Sequence, residues 1–127
     1  MPINHSYSED GGVVITGAGL VTAKELFDGM NTLYATPEQI SKIRYQLSDF
    51  TAVSSWQITT AEIVELANLD NIAAKINPSM LIAIAANDDL TYGLSRLWEA
   101  YLDSSPLKSH VFKTVEECKA WLAPLIG

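Results

Sequence analysis

Hydroxyl side chains crowd the stretch SDFTAVSSWQITTAE, residues 48 to 62. A serine there becomes a phosphorylation switch if it stands on the free amides of a helix start, where a phosphate is stabilised. Two helix frames compete. Ser54 with Gln57 would begin a helix at Ser55, whereas Thr59 with Glu62 begins it near Thr60 and leaves both serines in a loop. The later frame is preferred, because Ser55, Trp56 and Ile58 are indifferent helix formers and the earlier start makes an unusually long helix. Ser54 and Ser55 are candidate regulatory phosphosites under the earlier frame, whereas the later one makes the segment a solvent-facing connection and shifts interest to Trp56. Trp56 and Thr59 are candidate partner contacts, Trp56 because it lies in a predicted loop with few apolar neighbours.

Three carboxylates offer different chemistry. Asp49 ends a predicted strand and Asp88 and Asp89 follow another, at the sheet edge where open α/β folds bind ligands, magnesium or acid-base catalysis included. The competing role is structural. Asn87 or Asp88 is a natural N-cap, and Asp89 suits the positive end of the same helix. The stretch VVITGAGLVT has the look of a nucleotide-binding strand and turn, but Leu20, Val21 and Thr22 stand where a further glycine is needed. It reads as a glycine-tolerant turn. His5 and His110 fall in separate strands without a second ligand at metal spacing, so no metal and no cofactor is expected. Cys118 lies on the apolar side of a helical pattern and is expected to be a core residue.

Positioning these residues is the task of alternating elements. Residues 3 to 8 and GVVITG, separated by Asp10-Gly11-Gly12, form a hairpin. TAKELFDGMNTLY places Ala23, Leu26, Phe27, Met30, Leu33 and Tyr34 on one helical face. After a turn at ATPEQ come a strand from Lys42 to Asp49, a helix from about Thr60 to Ile76, and the continuous apolar run from Met80 to Ala86 that suits a central parallel strand. A helix with a Leu90, Leu94, Leu97, Trp98, Tyr101 stripe follows, then Pro106, the strand SHVF, and a last helix carrying Val115, Cys118, Trp121, Leu122 and Leu125. Thr22 with Glu25, Thr36 with Gln39, Thr59 with Glu62 and Thr114 with Glu117 fit the reciprocal capping box, with Pro37 at a first helical position.

The expectation is one α/β domain spanning residues 1–127: a mixed, mostly parallel sheet of about five strands with an N-terminal hairpin, flanked by about four helices. Such a chain buries about two-thirds of its unfolded surface. Fifteen acidic against eight basic residues give a net charge of −7, which repels phosphate backbones and argues against a nucleic-acid partner. No apolar run reaches the roughly 18 residues of a membrane span, and MPINHSYSED lacks a basic start and an apolar segment, so a cytoplasmic location is expected. An open hairpin edge makes a homodimer a further expectation.

The ending VFKTVEECKAWL, with Ala120-Trp121-Leu122 after an acidic helix start, and the opening hairpin followed by Gly17 and a first helix resemble the SpoIIAA-like, or STAS/SEC14 domain, group of small bacterial proteins. The resemblance implies a STAS-like sheet flanked by helices and two functional ideas. One is a non-enzymatic regulatory or protein-interaction module, in which a serine after the strand resembling residues 43 to 49 is phosphorylated to break docking to a partner. The motif in such antagonists reads Asp-Ser-Ser-Gly or near it, and Val53-Ser54-Ser55-Trp56 matches its two serines. The alternative is a carrier or sensor of a small apolar, lipid-like ligand held between sheet and helices.

Overall fold

The computed structural model describes residues 2–102 and 107–127; Pro106, expected to close a connection, lies outside them. The hairpin forms as β1 (Ile3–Tyr7) and β2 (Gly12–Thr22), closed by Asp10-Gly11-Gly12 with Gly11 at φ +89°, a conformation glycine adopts without strain. Then α1 (Ala23–Leu33), α2 (Pro37–Ser41), β3 (Tyr45–Gln57), α3 (Thr60–Ile76), β4 (Leu81–Ala85), α4 (Asp89–Ala100), β5 (Lys108–Phe112) and α5 (Val115–Ile126) follow. The fold is α/β with a mixed five-stranded sheet in the order β1-β2-β3-β4-β5, antiparallel between β1 and β2 and parallel elsewhere.

Because β2 to β5 lie side by side in chain order, right-handed crossovers place every connecting helix on the same side of the sheet. This is the packing observed. Val13 and Ile15 of β2, Phe50 of β3, and Ile82 and Ile84 of β4 share one core with residues of α1, α2, α3 and α4. On the opposite side Tyr45, Leu47, Leu81, Ala83 and Ala85 meet Cys118 and Leu122 of α5. Strand alternation explains the division, since Tyr45 and Leu47 face α5 while Gln46, Ser48 and Phe50 face the crossover helices.

The capping expectations are met in detail at two helices. Thr22 with Glu25 and Thr59 with Glu62 make both halves of the capping box, so α3 begins at Thr60 as the later frame requires. Thr36 and Thr114 accept from the backbone N–H of Gln39 and Glu117, and Asp88 caps α4.

Three expectations about local structure are corrected. The stretch after Asp49 is not a loop: β3 runs on to Gln57, paired with Ala18–Thr22 beyond the point where β1 and β4 stop. The predicted turn in VVITGAGLVT is likewise strand, broken by register shifts at Thr16/Ala18 and Gly19/Leu20, with Gly19 at φ +66°. A bulge at a left-handed glycine increases local twist and lets the ribbon bend over the helices. ATPEQ, read as a turn, contains the start of the five-residue α2, which makes five helices among the described residues.

Candidate functional site

Between the sheet and α1, α3 and α4 lies a cavity of about 120 Å³. Its lining is predominantly apolar: Ile15, Ile82 and Ile84 from the sheet, Leu26, Met30 and Leu33 from α1, Ile63 and Leu66 from α3, Leu94 from α4. Partly buried Ile3, His5, Trp56 and Ile58 complete it. Trp56 reaches it because β3 is long. Its ring stands edge-on to Phe50, centroids 5.2 Å apart, and its indole N–H donates to Thr91 Oγ at 2.8 Å. The residue expected to be an exposed loop contact is therefore a wall of the cavity, held by α4.

A buried polar cluster closes one end. Asp70 of α3 is 3% exposed and accepts from the Tyr34 hydroxyl at Oδ1 and from the Trp98 indole N–H at Oδ2, each at 2.8 Å. Gln46 in turn donates to the Tyr34 oxygen. Burial pushes the Asp70 carboxyl up to about 7, against the pull of its two donors, because desolvation penalises the charged form. Tyr34 is raised well above the ordinary phenol value, by burial first and by the neighbouring carboxylate second. His5, between Ile15 and Gly29, is lowered by partial burial. A Cβ at position 29 would fall 2.8 Å from its ring, so the helix approaches β1 closely because Gly29 has no side chain.

Of the three carboxylates weighed for metal or acid-base work, Asp49 and Asp88 are engaged elsewhere and Asp89 is exposed in the first turn of α4. Asp49 Oδ1 accepts from the Thr51 backbone N–H and hydroxyl, and Asp88 accepts the Thr91 N–H and hydroxyl at the start of α4. Among the described residues no three His, Cys, Asp or Glu side chains gather where they could hold an ion. Ser54 and Ser55 are exposed within β3 and are not part of a helix start, and Thr59 is the N-cap of α3. The phosphate-stabilising helix amides of the earlier frame are not beside the serines. Cys118 is fully buried, with its thiol pushed up to about 12 by desolvation.

Sequence reasoning missed Asp70, although a signal was present. It falls on the inward line of α3, Ile63, Leu66, Ala67, Asp70, Ala73 and Ala74, where a lone carboxylate must find donors. On α4 it placed Leu94, Leu97 and Trp98 on the core side, as the structure has them, but misplaced the ends of that line. Leu90 and Tyr101 are exposed, while Thr91, Ser95 and Trp98 are buried, the two hydroxyls being satisfied by Asp88 and the Thr91 carbonyl. No helix among the described residues is long and apolar enough to cross a membrane. No protein-family model matches the chain, and no curated protein matches it.

Proposed function

We propose that this protein is a non-enzymatic STAS-like module that binds a small apolar ligand between its sheet and its crossover helices, as a carrier or sensor. The observation that carries the reading is the cavity of about 120 Å³ lined by isoleucine, leucine and aromatic side chains. Close-packed interiors rarely leave a void larger than a water molecule, and an apolar void of about 150 Å³ is known to stay dry and take up benzene. Leaving such a space empty forfeits packing energy that an apolar occupant restores.

Two tryptophans, Trp56 and Trp98, line the cavity, while Trp121 packs on the opposite side of the sheet. Titration with benzene should therefore change tryptophan emission in wild-type protein and in Trp121→Phe, with a saturable dependence on concentration. Native mass spectrometry of freshly purified protein should show a ligand-bound species. A clean apo mass across preparations together with no saturable response to benzene would overturn the reading.

A second reading, a protein-interaction surface, draws on the ribbon made by Ala18–Thr22 and Ala52–Gln57. Leu20 is 51% exposed there and paired with exposed Ser55, so an apolar side chain and one candidate phosphosite, Ser55, share one surface, while Ser54 points to the other face of the strand. An exposed apolar group rimmed by hydroxyls suits docking that a phosphate would disrupt. Loss of a stoichiometric partner from pull-downs on Leu20→Asp is the outcome expected; unchanged recovery counts against it.

A further inference from the structure

The apolar lining is interrupted at its sheet side by two groups on one strand. Gln46 and Ser48 stand two residues apart on β3, so their side chains share the face that floors the cavity. Strand register places Ser48 in a cross-strand row with His5, Ile15 and Ile84, which seats its hydroxyl between two isoleucines. Ser48 is 6% exposed, and its hydroxyl has no hydrogen-bond partner among the described residues. The Gln46 amide nitrogen donates to Tyr34 Oη and Met80 Sδ, while its carbonyl oxygen receives no donor there. Neither atom is sealed off, since Asn71 Oδ1 is the one fully buried side-chain atom left without a partner among the described residues, so both open onto the cavity, where an occupant can supply the bonds they lack.

Charge narrows that occupant. No lysine or arginine lines the cavity, and its ionisable members are Asp70 and the half-buried His5. An anionic head would enter a low-dielectric space with no cation to meet it and with a carboxyl already present. The Asp70 oxygens already accept from Tyr34 and Trp98 and Ser95 donates to the Thr91 carbonyl, so the hydrogen-bonding capacity left on the floor of the cavity is that of Ser48 and Gln46, with the half-buried His5 ring beside them on β1. Gln46 oxygen accepts only, whereas Ser48 donates as well as accepts. The group that satisfies both is a hydroxyl, which donates to the first and accepts from the second. Cavity volume sets the body at about the size of one ring, by comparison with the void of about 150 Å³ that takes benzene.

We propose that the cavity selects a neutral, single-ring alcohol such as a phenol, anchored through its hydroxyl on Ser48 and Gln46. The inference rests on the ligand-binding reading above. It adds to it a polarity, a charge and a size.

Isothermal titration of the intact protein with phenol, anisole, benzene and benzoate at pH 8, repeated on Ser48→Ala, tests it. Wild-type protein should bind phenol about tenfold tighter than benzene, the scale of one well-made hydrogen bond in a buried site. Anisole, which cannot donate, should lose most of that advantage, and benzoate should bind weakest. In Ser48→Ala, which removes the donor to the phenol oxygen and leaves Gln46 to accept, the preference for phenol over benzene should shrink by about half on a logarithmic scale while benzene is retained. Equal binding of phenol and benzene by wild-type protein, an undiminished preference for phenol in the variant, or benzoate binding as tightly as phenol would each overturn the anchor and leave the apolar-ligand reading standing. Absence of binding by all four probes would overturn both. The wild-type comparison alone decides the matter should the variant fail to fold.

Discussion

The indole N–H of Trp98 donates to the buried carboxylate of Asp70 across the α3–α4 interface, at 2.8 Å. This bond ties two crossover helices together at the end of the cavity and supplies one of two side-chain donors to Asp70. Trp98→Phe removes the donor and leaves Oδ2 buried without a partner. The expected cost is about 1–3 kcal/mol for the unsatisfied group, with lost packing adding to it. Urea denaturation measures it, and a loss below about 0.5 kcal/mol would show that Asp70 has found another donor.

Stability should depend on pH through Asp70 in the reverse of the usual carboxylate sense. Its folded-state value of about 7 lies above the roughly 3.9 of an unfolded aspartate, so between the two the native state holds a proton that the unfolded chain has released. Stability from this group is therefore full below about pH 4 and falls as pH rises to about 7, by at most roughly 1.4 kcal/mol per pH unit. Asp88 works the other way. The Thr91 backbone N–H and hydroxyl lower its pKa, so its contribution is present at neutral pH and fades as pH falls through the acid range. Asp70→Asn should flatten the decline between pH 4 and 7; a decline equal to wild type would remove Asp70 as its source.

Introducing charge at the candidate phosphosites should barely affect the fold. Ser54 and Ser55 are exposed on the ribbon within β3, outside the first turn of any helix, where an added charge stays solvated. Ser54→Asp and Ser55→Asp should each change stability by less than about 0.5 kcal/mol in thermal or urea melts. A loss above about 1 kcal/mol would place these side chains in contacts that their exposure does not suggest.

The thiol of Cys118 should be silent in the native protein. It is fully buried between α5 and the sheet, and its pKa of about 12 leaves almost no thiolate at neutral pH. Labelling by a thiol-reactive chromophore should proceed only through opening, at a rate that climbs in denaturant. Immediate stoichiometric labelling in buffer would mean that α5 detaches readily.

Much of the fold was legible because the hydrophobic periods were clean where the tertiary environment is simple. β4 is buried along its whole length and reads as an unbroken apolar run, and α3 carries a cap that fixes its first residue. The errors cluster where one residue type serves two purposes. Serine and threonine suit helix caps, exposed strands and buried hydroxyl pairs alike, so residues 50 to 57 did not read as strand and Thr91 and Ser95 did not read as inward-facing. Trp56 was misjudged for a related reason. Its apolar partners, Phe50 apart, come from elements distant in sequence and are invisible to a local window. The cavity is a still longer-range property, depending on how far three helices stand from the sheet, which no spacing encodes. Asp70 was within reach, as a carboxylate on an apolar stripe.

Every described residue that lines the cavity precedes position 99, while α5, which covers the other side of the sheet, comes last of the described elements. During synthesis from the N-terminus, the cavity side therefore gathers its side chains first, and Tyr45, Leu47, Leu81 and Ala83 wait uncovered for the final helix. The surface most exposed to aggregation in a nascent or partly opened chain is thus the one away from the cavity. A ligand present during folding would protect the side that is already assembled, and leave the vulnerable one to α5.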